Sequence, residues 1–343
     1  MVWVIERAEY CIGTIYQDMS SIKSHCEDLQ ETFDNNLTMI TRVILLGFQV
    51  SPFFRMVLFS FFLLIYCVTM FVNLQIIALV SYSKNLQSPM YFFLTQLSIS
   101  DILLSTDIVP NFLYVLLNKS ATMSFSSCIA QFYFFISTEI YDCVLLTVMS
   151  YDRFMAICNP LLYHIVMKPT FCMQLIVLSW LLSISVSLVE LITVYSLWFC
   201  GPNIIDHFFC DMEPLLDLSC SDISMVKLEM IVFCIPMIIF PFGFIIISYL
   251  KIIHSILRIP STTGRQKAFS TCSSHLTVVS IFYGTLFIIY VLPTRGQLGN
   301  LSKMLSLLYT VVTPLLNPVI YSLRNKDIKT ALAKSVQSFQ AIE

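Results

Sequence analysis

Residues 56–80 read MVLFSFFLLIYCVTMFVNLQIIALV, an apolar run that contains no Asp, Glu, Lys or Arg. At about 1.5 Å rise per residue it makes a helix of roughly 37 Å, and crossing a ~30 Å hydrocarbon core takes about 20 such residues. Working outward, six further blocks of spanning length follow, from Tyr91 to Leu113, Cys128 to Met149, Phe171 to Tyr195, Met230 to Leu250, Phe269 to Leu292 and Met304 to Leu323. They are too long, and alternate too little, for the strands of a closed barrel. Pro110, Pro236, Pro241, Pro314 and Pro318 lie inside them, which membrane bundles tolerate because neighbouring helices re-satisfy the freed backbone. The expected fold is an all-α bundle of seven transmembrane helices.

Composition agrees. Of 343 residues 57% are hydrophobic and 12% charged, with mean hydropathy +0.81, against about 25% charge in soluble domains. A net charge of -2 and only 8 glycines speak against a nucleic-acid-binding or disordered chain. Channels, transporters and receptors remain. His164, His207, His254 and His275 are scattered without metal-ligand or catalytic-triad spacing, so no enzymatic centre is expected.

The cations set the orientation, because cytoplasmic loops hold the Lys and Arg excess. With the N-terminus outside, the inner face receives Lys84, Arg153, Lys168, Lys251, Arg258, Arg265, Lys267, Arg324, Lys326, Lys329 and Lys334. The long loop after the fourth span carries Asp206, Asp211, Glu213, Asp217, Asp222 and Glu229 against Lys227 alone. The C-terminus is then cytoplasmic. Sequons and extra cysteines fall on the outer side, as they should. Asn36 precedes the first span as the expected glycosylation site, Asn118 and Asn300 lie at outer loops, and Cys128, Cys200, Cys210 and Cys220 face outward. Four cysteines allow three pairings. Residues 1–55 are expected to be a disordered outer tail, in which Cys11 and Cys26 form a candidate pair; 56–323 form the seven-span domain, and 324–343 the cytoplasmic tail.

Ionisable groups inside a bilayer are expensive and mark function. Asp101 lies in the second span and Glu139 and Asp142 in the third, with Asn73 and Asn317 as neutral polar groups in the first and seventh. Steps of four, three and eleven residues put Phe135, Glu139, Asp142 and Arg153 on one stripe of the third helix. Oxygen ligands suit a hard cation, so Asp101 and Asp142 are read as a sodium site, the alternative being a proton shared between carboxyls. No other cofactor is expected. An ion path in a seven-span transporter is the rival from another class, but there is no internal repeat of the kind many transporters show.

Six motifs, in order, carry a resemblance: PMYFFL at 89–94, LSISD at 97–101, MSYDRFMAICNPLLY at 149–163, SY at 248–249, KAFSTCSSHL at 267–276 and PLLNPVIYSLRN at 314–325. Together they resemble the signature set of the vertebrate odorant receptors, in its tetrapod-type class, over about residues 36–334. The resemblance implies a rhodopsin-like G-protein-coupled receptor that binds small volatile odorants and activates the olfactory stimulatory G protein to raise cyclic AMP. It implies a plasma-membrane location in olfactory cilia, lipid contacts, a trafficking chaperone, and a short amphipathic helix after the seventh span. A role sensing a metabolite outside the nose is compatible with the same fold.

Residue by residue, the resemblance makes Arg153 a cytoplasmic latch held by Asp152, and Tyr249 and Tyr321 the groups that support the open state. It pairs Cys128 with Cys210 and Cys200 with Cys220, and gives Asp101 and Asp142 the sodium role. Ligand contacts are expected from Phe135, Ile136, Glu139 and Ile140 on the third helix, Phe233, Cys234, Met237 and Ile238 on the fifth, and Tyr283, Leu286, Phe287 and Tyr290 on the sixth. The chain departs from the family pattern at Phe71-Val-Asn73, at Phe154 after Arg153, at Asp142 where Glu is commoner, and at Glu139, where the family usually has a small or neutral residue. An ionised Glu139 would select a cationic amine; a protonated one, the expected form because no buried Lys or Arg partner is visible, would donate to alcohols or carbonyls. The long N-terminal stretch also exceeds the family's usual short one.

Overall fold

The computed structural model describes residues 40–83, 86–200, 202–291, 299–324 and 328–333. The chain divides into two compact units, Met1–Ile40 and Thr41–Glu343, and every element below lies in the second. Asn36, Cys11 and Cys26 fall outside the described residues.

In chain order the elements are β1 (Arg42–Leu46), α1 (Pro52–Tyr82), α2 (Pro89–Asn118), β2 (Ser120–Ser124), α3 (Phe125–Cys158), α4 (Pro160–Val166), α5 (Pro169–Tyr195), β3 (Ile204–Ile205), α6 (Met212–Leu216), α7 (Ser224–Glu229), α8 (Ile235–Leu257), α9 (Thr262–Val291), α10 (Gly299–Leu307) and α11 (Thr313–Arg324). The first four spans are α1, α2, α3 and α5. The fifth joins α7 to α8 through a π turn at Met230–Cys234, the sixth is α9, and the seventh joins α10 to α11 through a π turn at Leu308–Val312. Six described helical runs are long and apolar enough to cross a membrane, and α9 contributes the apolar stretch Cys272–Phe287.

Proline places several of these boundaries. Pro52, Pro89, Pro160 and Pro169 open their helices, where the missing N–H would be unsatisfied anyway and the fixed φ is already helical. Each π turn ends two residues before another proline, Pro236 or Pro314, whose absent N–H loosens the hydrogen-bond ladder just upstream. Thr313 Oγ1 donates to the Leu308 carbonyl at 3.0 Å and holds the wider turn together.

The expected disordered tail is corrected at its inner end. Residues 42–46 form β1, which pairs antiparallel with β2 (Arg42↔Ser124 through Leu46↔Ser120) and parallel with β3 (Ile44↔Ile204) in a sheet of order β2-β1-β3. The segment RVILL is β-branched and apolar enough to pair, but its partners lie 80 and 160 positions away by the register. Gly47 follows because the chain passes against Val115, whose Cγ1 would stand 2.5 Å from a Cβ there. Two disulfides, Cys128–Cys210 and Cys200–Cys220, tie down the outer loop.

Two buried clusters fill the bundle. The outer one is aromatic, built from Phe48, Phe62, Phe112, Phe135, Phe208, Phe209 and Tyr309; the Phe112 and Phe208 rings lie 4.8 Å apart. The inner one holds Leu94, Leu97, Leu145, Leu146, Tyr249, Val279 and Phe282. Within the inner one Trp180 stacks on Tyr141 at 4.0 Å. Lipid is as apolar as these side chains, so close packing rather than water exclusion holds such helices together. A last helical turn at 328–333 buries Ile328 against the inner cluster and leaves Lys329 and Thr330 exposed, the two-sided pattern expected after the seventh span.

Candidate functional site

The third span runs through the centre of the bundle and presents its polar groups at three depths. At the outer end, the Cys128–Cys210 disulfide pulls the loop down onto α3. Gln131 locks it there, because its side-chain amide donates to the Asp107 carbonyl at 2.8 Å while its oxygen accepts from the Cys210 N–H at 3.1 Å. His207, Phe208, Phe209 and Cys210 are all buried as a result. Burial pushes the His207 imidazole down to about 3, with Lys303 adding to the effect, so this histidine is neutral. Lys303 itself is buried, donating to Asp206 at 2.5 Å and to the Gly47 carbonyl at 3.4 Å. One cation from the seventh span thereby clamps both the outer loop and the segment after β1.

Beneath that loop, Phe135 packs edge-on against Phe209 at 5.1 Å and tilts against Tyr309 at 5.8 Å. One turn further along α3 stands Glu139, 8% exposed, with neither carboxyl oxygen hydrogen-bonded. It lies within electrostatic reach of Asp142 and of Asp211 in the outer loop. Asp211 accepts from the Met212 N–H at 2.7 Å and from the Tyr309 hydroxyl. Burial pushes its carboxyl up to about 6, with Glu213 adding to the rise.

The expected ligand contacts divide unevenly. Phe135, Glu139, Ile140, Tyr283 and Leu286 are buried, while Ile136, Met237 and Ile238 are half-buried. Tyr283 points deeper than expected, its hydroxyl donating to the Cys143 carbonyl at 3.4 Å and its ring 5.0 Å from Phe242. Phe287 is 62% exposed and Phe233 41% exposed, so both are corrected to outward-facing residues. The buried face of α9 follows Val279, Phe282, Tyr283 and Leu286. A step of four residues overshoots a full turn by about 40°, which carries Phe287 off that face. Phe233 lies in the π turn, whose extra residue shifts the helical phase that a uniform 3.6 period assumes. The side chains of Cys234 and Tyr290 fall outside the described residues.

At mid-depth, Asn317 donates to Asp101 Oδ1 at 3.0 Å, leaving Asp101 Oδ2 unpartnered. Asp142 Oδ1 is also unpartnered, with Ser100 beside its carboxyl. Asn73 bridges spans instead, donating to the Thr69 and Pro314 carbonyls at 3.0 and 3.1 Å. Two buried carboxylate oxygens without partners fit a hard cation. Among the described residues no three His, Cys, Asp or Glu side chains converge, so hydroxyls, carbonyls or water would complete the shell.

At the inner end, Arg153 donates to Asp152 Oδ2 through Nε at 2.9 Å and through Nη2. The other Asp152 oxygen accepts from Tyr163, on α4, at 2.9 Å. Arg153, Asp152, His275 and Tyr321 line one small cleft with Met90, Phe93 and Met149. Tyr249 and His275 Nδ1 share a hydrogen bond of 2.7 Å. Thus Tyr163 joins Asp152 and Arg153 in one hydrogen-bonded group, and the Tyr249–His275 pair meets it, with Tyr321, at the cleft. Tyr163 and His275 lie inside the contiguous motifs, but their partners come from the fold, as do the buried positions of Lys303 and of Glu190 on α5 and the place of the loop acid Asp211 beside α3. Only Glu190 carried a signal of its own, as an acid inside an apolar block.

Comparison with known proteins finds a matching family model, described as olfactory receptor, over residues 62–338. Olfactory receptor 10A7 of Homo sapiens is 45% identical over 301 residues, covering 88% of this chain and 95% of that protein. Olfactory receptor 1M1 of Mus musculus is 44% identical over 301 residues, covering 88% and 96%. Among solved structures, squid rhodopsin matches with TM-score 0.67 at 17% identity, covering 84% of this chain and 82% of that one, a likeness of fold.

Proposed function

The chain belongs to the olfactory receptor family, and from that membership we propose that it detects small organic molecules in the outer half of its bundle and answers by admitting a stimulatory G protein at Arg153. It is a multi-pass membrane receptor and not an enzyme. The observation that carries the mechanism is the inner network, in which Asp152 is held from two sides by Arg153 and Tyr163. That arrangement stabilises a closed state in which Arg153 is occupied. An agonist acts only through tighter binding to the open state, in which Arg153 leaves Asp152 to meet the G protein and Tyr249 and Tyr321 move in behind it.

The outer site suits such a ligand. It joins aromatic faces at Phe135, Phe209 and Tyr309 to a few polar groups, the usual composition of a small-molecule pocket. We assign Ile136, Ile140, Met237 and Leu286, all buried or half-buried, to its apolar wall. We assign a sodium ion to Asp101 and Asp142, where a bound cation would compensate two buried carboxylates and favour the closed bundle. Plasma-membrane delivery with the help of a chaperone, operation in olfactory cilia, and glycosylation at Asn36 complete the reading.

The test is cyclic AMP production in cells expressing the full chain with the olfactory G protein, screened with a chemically broad odorant panel. Arg153→Ala is expected to abolish the response at unchanged surface level. A full response from that variant would refute the coupling mechanism.

A further inference from the structure

Glu139 is the polar group of the outer site that folding leaves unused. It is more than nine-tenths buried, and both of its carboxyl oxygens lack a hydrogen bond. A carboxyl in that position is costly unless something reaches it. The groups acting on it, Asp142 and Asp211, are acids too. Among the described residues the two ion pairs are Arg153 with Asp152 and Lys303 with Asp206, so neither Glu139 nor Asp211 is neutralised by a side-chain cation. Lys303, the buried cation of the seventh span, is already committed to Asp206 and the Gly47 carbonyl.

Two further observations give the arrangement a direction. Asp211 is fixed in place by the Met212 N–H, the Tyr309 hydroxyl and the neighbouring disulfide, so its charge does not swing away into solvent. Phe135, one turn from Glu139, packs with Phe209 and Tyr309 on the same side. Aromatic faces attract cations, most strongly when desolvated. Acids that pair with no cation among the described residues, with aromatic rings beside them, favour an ammonium group over a neutral hydroxyl or carbonyl.

Resting on the odorant-receptor reading above, we propose that Glu139 and Asp211 together anchor the cationic group of the ligand, so that the ligand class is a small organic amine whose apolar body lies against Phe135, Phe209 and Tyr309. The ammonium supplies up to three N–H donors, enough for both Glu139 oxygens and for Asp211. An alcohol of the same skeleton supplies one donor and leaves the acids uncompensated. The expectation from sequence, a protonated Glu139, is kept for the ligand-free site, since burial and a neighbouring carboxyl both favour the neutral form of an acid; a bound ammonium takes the place of that proton, which leaves to solvent.

The experiment measures cyclic AMP from the full-length receptor at confirmed surface level against matched series on linear, cyclic and aromatic skeletons: hexylamine, hexanol, hexanal and hexanoic acid, then cyclohexyl and benzyl counterparts. Amines are expected to be about tenfold more potent than the matching alcohols, since ionised hydrogen bonds are roughly twice as strong as neutral ones. Glu139→Gln, which keeps shape and removes charge, is expected to bring that ratio to about one while alcohol responses persist. Asp211→Asn, in the loop, is expected to lower it in part and serves if the first variant fails to reach the surface. Neutral odorants active at equal or higher potency than amines, or a preference untouched by both variants, would overturn the inference and leave the receptor reading standing. Silence to every compound would overturn the receptor reading, and the inference with it.

Discussion

Tyr163→Phe is the most incisive perturbation of the inner network. The ring stays, so its packing at the start of α4 is kept, while one hydroxyl is lost from Asp152 Oδ1 at 2.9 Å. A hydrogen bond to a charged group is worth about 1.5–3 kcal/mol. Tyr163 is half-buried, so water replaces part of that bond and the loss falls to about 1 kcal/mol, the ordinary net value for a hydrogen bond. Arg153 keeps its own contact, but the carboxylate that holds it is now oriented from one side only. If the bond exists only in the closed state, about 1 kcal/mol multiplies the open-to-closed ratio roughly fivefold. The assay is agonist-free cyclic AMP at matched surface expression, where the variant should run about fivefold above the parent until the open population saturates. Basal signalling equal to the parent's, with a normal maximal response to agonist, would refute the idea that Tyr163 contributes to the latch.

Two other outcomes follow from the outer face. Cys128→Ser removes a crosslink between positions 82 apart, worth about 4 kcal/mol by loop closure, and releases the loop that carries Asp211; surface delivery measured by antibody labelling should fall severely, and normal delivery would contradict the anchoring role. Acidifying the medium from pH 7.5 to 5.5 should weaken responses to amines. The sign follows from Asp211, pushed up to about 6: above that value it is a carboxylate that attracts the ligand, and below it the charge is lost. Glu139, Glu213 and the Tyr309 hydroxyl face it, and His207 stays neutral because its value lies near 3. Amine potency unchanged across that range, with neutral ligands as control, would remove Asp211 from the site.

The apolar run at 56–80 and its six counterparts determined the seven-span architecture from composition alone, because a bilayer demands about 20 apolar residues per crossing whatever the neighbours are. The distribution of Lys and Arg supplied the orientation, and the linear motifs around Arg153 and Asn317 supplied the family, since they are contiguous. Tertiary structure decided everything that depends on phase or on distant partners. Phe233 and Phe287 face outward because a π turn and the drift of the 3.6 period rotated them away from the expected stripe. Residues 42–46 pair with strands that no local pattern names. Glu139 was legible as an anomaly, yet its meaning came from Asp211, which a disulfide and Gln131 bring to it from the outer loop. Hydropathy and motifs are local properties of a chain; the chemistry of a pocket depends on which side chains the fold makes neighbours.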